Sequence, residues 1–214
     1  MFREACKSIL KYSLIRKLSI QEKRMLSDKA YNEVYEHFLK RFGVNKELCD
    51  EIRHRMLFMR MDHINFPIIA IDLAQKYGEK GVFYLLLVIV IKNTANLIRM
   101  RYHNEDIIKE RITAKLDKFK KSIEFCCEMG IFVERKLAQM YAPLILNSIQ
   151  QAKSIIDTQL HELIKILRRV IKEIDLVEAV RRKTIGIVNA ILTIYAITNE
   201  KVDNCINKKK KEVK

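Results

Sequence analysis

Residues 81–91 read GVFYLLLVIVI, eleven residues without a charge, held between Lys80 and Lys92. A membrane-spanning helix needs about 20 apolar residues, whereas runs of roughly 10 to 14 suit a helix buried in a soluble core. The run is apolar on every side, so neighbouring elements must cover it all round. Tyr77-Gly78-Glu79-Lys80-Gly81 stands in front of it, and Lys92, Asn93, Thr94 and Asn96 extend it at helical length. The flanking sequence is therefore expected to wrap this segment.

Working outward, the 214 residues hold only two Pro and five Gly. Ile, Leu, Lys, Arg and Glu dominate, a composition that favours helices over strands. An all-α or nearly all-α multi-helix fold is expected. The formal net charge is +15, from 41 Lys plus Arg against 26 Asp plus Glu. Such an excess draws polyanions, and nucleic acid is the leading partner class. The five cysteines are scattered and odd in number, which reads as free thiols in a reducing compartment, cytoplasmic or associated with a nucleoid or virion. The basic, amphipathic residues 1–19 resemble an organellar presequence, but Glu4 fits that poorly, and a first helix is the preferred reading.

Before the apolar run, helices are expected over residues 2–18, over 29–42 capped by Ser27-Asp28 and ended by Gly43, and over 45–59 opened by Asn45. In DHINFP (residues 62–67), Asn65 is the expected cap and Pro67 a first-turn residue of a helix ending at Gly78. Asn104-Glu105-Asp106 opens a helix to Ala114, a further helix covers 115–129, and Gly130 ends it. Ile131-Phe132-Val133 is the one short run with strand character. Beyond Pro143, Ile149, Ile156, Leu163, Val170 and Val177 repeat every seven residues, with Leu160, Leu167 and Ile174 beside them. Such a seam asks for a partner helix. The uncharged stretch 184–199 is expected to turn back as the second arm of a long hairpin, or to pack on the N-terminal helices or on a second copy of the chain. The expected organisation is N-terminal helices over 1–57, a helical core over 58–142, a hairpin over 143–200 and a basic tail over 201–214.

No catalytic constellation emerges. No glycine-rich phosphate loop is present, the five histidines fall in separate elements, Asp62-His63 is a surface or capping pair, and Cys126-Cys127 faces inward on its helix. No Cys/His spacing suits zinc. No catalytic residue, metal or cofactor is expected, and the chain reads as non-enzymatic.

The basic residues form groups: Arg53, Arg55 and Arg60; Arg99 and Arg101; Lys115, Lys118, Lys120 and Lys121 with Ser122; Arg168, Arg169 and Lys172; Arg181, Arg182 and Lys183. One such group is an ordinary solvated face, but several with few acids nearby favour phosphate contact. Aromatic residues are not interleaved with them, which favours duplex backbone contact over base stacking on single strands. Duplex DNA is the preferred ligand and RNA the second. Two other functions fit the same sequence, a helical coat, packaging or ribonucleoprotein subunit and a protein-interaction module without nucleic acid. A homo-oligomer or a helical protein partner is expected, and a membrane is not.

Residues 58–133 carry an order of features, Phe58 and Asp62, then Ile69, Leu73 and Tyr77-Gly78-Glu79-Lys80-Gly81, then Val82, Tyr84, Leu85 and Leu86, then Asn104-Glu105-Asp106 and Cys126 to Phe132. This order resembles the winged-helix N-terminal domain of phage replisome-organiser and DnaD-like replication initiation proteins. The resemblance implies that residues 115–129 are a recognition helix presenting Lys115, Lys118, Lys121 and Ser122 to DNA, that 131–133 are a first wing strand, and that the process is replication initiation or transcription control.

Overall fold

A computed structural model describes the backbone of residues 20–58 and 61–212. Among the described residues there are five α-helices and one 3-10 helix, with no strand. The helices are α1 (Ile20–His37), α2 (Lys46–Phe58), α3 (Asn65–Arg99), α4 (Glu105–Met129) and α5 (Arg135–Glu212), and the 3-10 helix is Leu39–Phe42. The contacts divide the chain into one unit of Ala30–Ile171 and another of Met1–Lys29 with Lys172–Lys214. The expected first helix, residues 2–18, lies outside the described residues.

Helix α3 carries the apolar run and is the centre of the larger unit. Val82, Leu85, Leu86, Leu87, Ile89 and Val90 are all buried, and Tyr84 reaches through the packing to donate its hydroxyl to the Gly43 carbonyl at 2.8 Å. Helix α3 is long and apolar enough to cross a membrane by length and composition, yet 61% of its most apolar window is buried within the chain. It is broken at Gly78, whose φ of 63° and ψ of −152° suit glycine alone. The break brings Leu73 and Tyr77 against Gly81, where a Cβ would stand 2.9 Å from the Leu73 carbonyl oxygen and 2.8 Å from the Tyr77 Cβ. Two helical segments with different axes thus meet without a linker.

Most helix ends form where their cap residues stand. Asn45 accepts from the Leu48 amide at 3.1 Å, Asn104 accepts from the Asp106 amide at 2.7 Å, and Gly43 and Gly130 occupy left-handed C-cap positions. Three expected boundaries move. Helix α1 runs straight through Ser27-Asp28, so this pair does not cap it. The cap of α3 is Asp62, whose Oδ1 accepts from the amides of Ile64 and Asn65 at 3.1 and 3.0 Å, leaving Asn65 as the first helical residue. Residues 105–129 are one helix, without a joint at 114–115.

The hairpin exists, but its turn is at residues 130–134 rather than within 143–200. Across that turn the Cys126 thiol donates to the Ile131 carbonyl, and Arg135 and Gln139 both donate to the Cys127 carbonyl, each at 3.1 Å. Helices α4 and the first half of α5 then run antiparallel, as the pairs Asp117–Lys153 at 2.5 Å, Lys109–Asp157 at 2.8 Å and Glu105–His161 at 3.0 Å require. The heptad residues Ile149, Ile156, Leu163 and Val170 are buried with Leu160 and Leu167. Pro143 sits inside α5 on an exposed position and does not end it, although proline removes one backbone hydrogen bond. Residues 184–199 continue the same helix instead of turning back, and 201–212 are helical too.

Residues 131–133 are an irregular link. The wing strand that the replication-initiator resemblance implies is not formed there. What stands in its place is the tight α4–α5 turn.

Candidate nucleic-acid interface

One group of exposed cations of the larger unit lies where α3 hands over to α4. Helix α3 ends in a Schellman motif, with the Arg101 amide donating to the Ile98 carbonyl at 2.9 Å and the Tyr102 amide to the Leu97 carbonyl at 3.1 Å. That motif puts Arg101 in the left-handed region, φ 64°, where glycine is preferred. Arg99, Arg101 and His103 are exposed on this turn. Two side chains from other elements close on it. The Arg111 guanidinium lies 4.5 Å from the centroid of the Tyr102 ring, and Arg168 on α5 donates to the His103 carbonyl at 2.9 Å. Arg99, Arg111 and Arg168, one from each of three helices, therefore surround one five-residue turn that itself carries Arg101. None of the four has a carboxylate partner among the described residues.

The cationic flank of α4 begins there. At 3.6 residues per turn, Arg111, Lys115 and Lys118 fall within an arc of about 60°, with Lys121 about 60° further round. Asp106, Glu110, Asp117 and Glu124 lie at least about 80° round the helix from Arg111, Lys115 and Lys118 but within about 60° of Lys121, and there Asp117 meets Lys153 and Glu124 stands 3.8 Å from Lys120. Arg111, Lys115 and Lys118 are thus set apart from the acids of α4, and Lys121 is not. Lys118 and Lys121 are exposed, whereas Lys115 is half-buried, donates to Asn93 Oδ1 at 3.0 Å and lies 5.7 Å from the Phe119 ring centroid.

Several expected contact residues are used otherwise. Ser122 is buried and donates its hydroxyl to the His63 carbonyl, so it holds the Asp62–Asn65 turn against α4 and presents nothing to DNA. Its position at the edge of the apolar face explains this, because a small hydroxyl fits there beside the stacked Phe66 and Phe119 rings, 4.2 Å apart. Arg169 faces Glu33 at 3.8 Å. Lys120 is the Glu124 partner already named. Arg55 bridges Glu51, at 2.7 Å, and Asp72, which also holds Lys76 at 3.0 Å, and Arg53 lies 4.6 Å from the Tyr31 ring centroid. Arg55 therefore ties α2 to α3, and Arg53 ties α2 to α1. Lys172 and Lys183 are exposed in the other unit, and the side chains of Arg181 and Arg182, with Arg60, lie outside the described residues. Sequence reasoning missed Arg111, which stands seven residues before Lys118 and so shares its flank.

The electrostatics follow these contacts. The Tyr77 hydroxyl, donating to Glu51 at 2.7 Å, and Arg55 hold the Glu51 carboxyl below its ordinary range. Partial burial would raise Asp72, but hydrogen bonds from Arg55 and Lys76 outweigh it and leave the carboxyl lowered. Burial pushes the Cys49 thiol up to about 11, and burial also raises Cys126 and Cys127. None of the three thiols is activated for nucleophilic or redox chemistry. Cys126 packs in the core, as its inward position suggests.

No protein-family model matches the chain, and no curated protein or solved structure matches it.

Proposed function

We propose that the chain binds duplex nucleic acid, DNA before RNA, by contacting backbone phosphates with Arg99, Arg101, Arg111 and Arg168 and with Lys118 and Lys121 along the adjoining flank of α4. The observation that carries this reading is the gathering of four carboxylate-free arginines at the 100–104 turn, one of them held in a left-handed conformation that costs stability. A cation group that served folding alone would be matched by acids, as Arg55 is with Glu51 and Asp72. Arginine presents a planar donor fork that suits phosphate oxygens. The contacts position the duplex and carry no base readout.

The reading needs no bound cofactor and no chemical step. Fluorescence anisotropy with a labelled duplex tests it. Each phosphate contact contributes about 0.9 to the slope of log affinity against log salt. Replacing Arg99, Arg101 and Arg168 together by Gln is expected to reduce that slope by roughly 3 and to weaken binding about 10- to 100-fold at physiological salt. Unchanged binding would remove this surface from consideration.

A second function, a subunit that coats nucleic acid, is favoured by one feature, the exposed aliphatic residues of α5 beyond residue 171. It calls for cooperative binding whose affinity grows with duplex length.

A further inference from the structure

The flank of α4 that carries Arg111 and Lys118 changes character toward the hairpin turn. At 3.6 residues per turn, Arg111, Lys118, Phe125 and Met129 fall within an arc of about 40°, so one straight row runs from cations to large apolar side chains. All four are exposed, Phe125 by 41% and Met129 by 60%. Phe132, 43% exposed, extends the row, with its ring centroid 6.4 Å from that of Phe125. Phe132 also holds φ 74°, a left-handed conformation that costs stability in a bulky residue and that glycine adopts freely. The turn thus keeps an exposed aromatic ring where its backbone favours no side chain at all.

A row that begins in cations and ends in rings fits a ligand with phosphates outside and a stacked apolar interior. Lys118 and Phe125 are about 10.5 Å apart along the helix axis, a span of about three base pairs. A phosphate held by Lys118 therefore leaves the rings over the neighbouring groove, where apolar side chains enter between base pairs and kink a duplex. The acids of this end lie aside from the row. Glu124 and Glu128 are at least about 60° round the helix from Phe125 and Met129, and Glu124 stands 3.8 Å from Lys120, while Lys121 lies within about 40° of Phe125. Beyond the turn, Glu134 and Lys136 are exposed and Arg135 donates to the Cys127 carbonyl at 3.1 Å. Pushed end-on into a lipid surface, the turn would carry Glu128 and Glu134 in with it, whereas a duplex laid along the flank meets the row first.

We infer that Phe125 and Phe132 form an apolar wedge that enters the minor groove of the bound duplex and kinks it at a deformable pyrimidine–purine step. The inference rests on the duplex-binding reading above and adds to it a class of substrate, a duplex holding a TA or CA/TG step. Stiffer steps resist the kink, so the preference arises without hydrogen bonds to bases.

Energy transfer between dyes on the two ends of a duplex of about 30 base pairs with a central TA step is the test, beside a duplex of the same composition whose purines all precede its pyrimidines and which therefore holds no such step. The full chain is expected to shorten the end-to-end distance of the first duplex and to bind it about tenfold more tightly than the second. Phe132→Gly, which relieves the backbone, is expected to abolish the shortening and to reduce the preference to within about twofold, with thermal stability retained or raised. Phe125→Ala is expected to weaken both effects. The salt slope stays that of the wild type in both variants, because Arg111 and Lys118 are intact. Duplex binding with its salt slope but without shortening, or a shortening that Phe132→Gly leaves intact, would overturn the wedge and leave the phosphate-contact reading standing. A chain that binds no duplex would overturn both. Loss of binding to vesicles of phosphatidylcholine with phosphatidylserine in Phe132→Gly, with the duplex preference unchanged, would overturn the wedge in favour of a lipid surface.

Discussion

Residues 81–91 and residues 184–199 are both long uncharged aliphatic stretches in helices, and the fold treats them oppositely. The first is sealed by α2, α4 and the 38–44 segment, so that Val82, Leu85 and Leu86 have no solvent exposure at all. In the second, Ile187, Ile191 and Ile194 stand mostly in solvent. Composition alone does not separate them. What separates them is the topology: the hairpin turn at 130–134 lays the first part of α5 against α4 inside the larger unit, whereas residues 184–199 belong to the other unit.

The difference can be broken first at the buried end. Leu86→Ala should cost about 2–5 kcal/mol of stability in urea unfolding, from lost burial plus the cavity left behind. Ile187→Ala, with the chain diluted to a monomer, should cost under about 0.5 kcal/mol. Comparable losses at the two positions would mean that the second stretch is core after all.

A smaller effect is expected at the helix break. Gly78→Ala places a side chain at φ 63° and ψ −152°, at a cost of about 1–3 kcal/mol. It should lower the midpoint of thermal unfolding without changing duplex affinity at temperatures where the fold is intact.

Arg101→Gly separates stability from binding. Glycine adopts the left-handed conformation freely, so thermal stability should rise by up to about 1 kcal/mol. Duplex affinity should fall in the same variant. A residue kept for packing would not show that opposition.

The smallest effect concerns pH. Glu51 and Asp72 have carboxyls lowered from ordinary values of 4.5 and 3.8, so the folded state binds fewer protons than the unfolded chain in that range. Their contribution is complete above those ordinary values and is lost as pH falls through the lower folded values. With side chains 38 and 37% exposed, solvent screening keeps it small. Glu51→Gln with Asp72→Asn should flatten the acid limb of the stability curve below about pH 4.5, by removing at neutral pH a small contribution that the wild type has already lost at the acid end.

The sequence made some of this architecture legible and concealed the rest for identifiable reasons. Gly43, Gly78, Gly130, Asn45 and Asn104 act where they stand because backbone chirality and unpaired helix-end amides are local demands. The eleven-residue apolar run announces burial by itself. The position of the hairpin was concealed because Pro143 suggests a boundary, yet α5 passes through it on an exposed position where packing on both sides outweighs one lost hydrogen bond. The strand character of Ile131-Phe132-Val133 was overridden by the short turn that has to join two antiparallel helices. Ser122 was misread since its place on α4 lies between the apolar face and the cationic flank, and the His63 carbonyl that claims it is 59 residues away. Arg111 joins Arg99, Arg101 and Arg168 only through the fold, because Tyr102 and His103 offer it and Arg168 their attachment points.

The most direct test of the proposed function is the salt dependence of duplex binding by the full chain, measured between about 50 and 200 mM salt. If the turn arginines and the α4 flank engage phosphates, affinity falls steeply across that range, and the fall becomes shallower when Arg99, Arg101 and Arg168 are replaced by Gln. An affinity that stays constant across the range, or a slope that the three replacements leave intact, would contradict it.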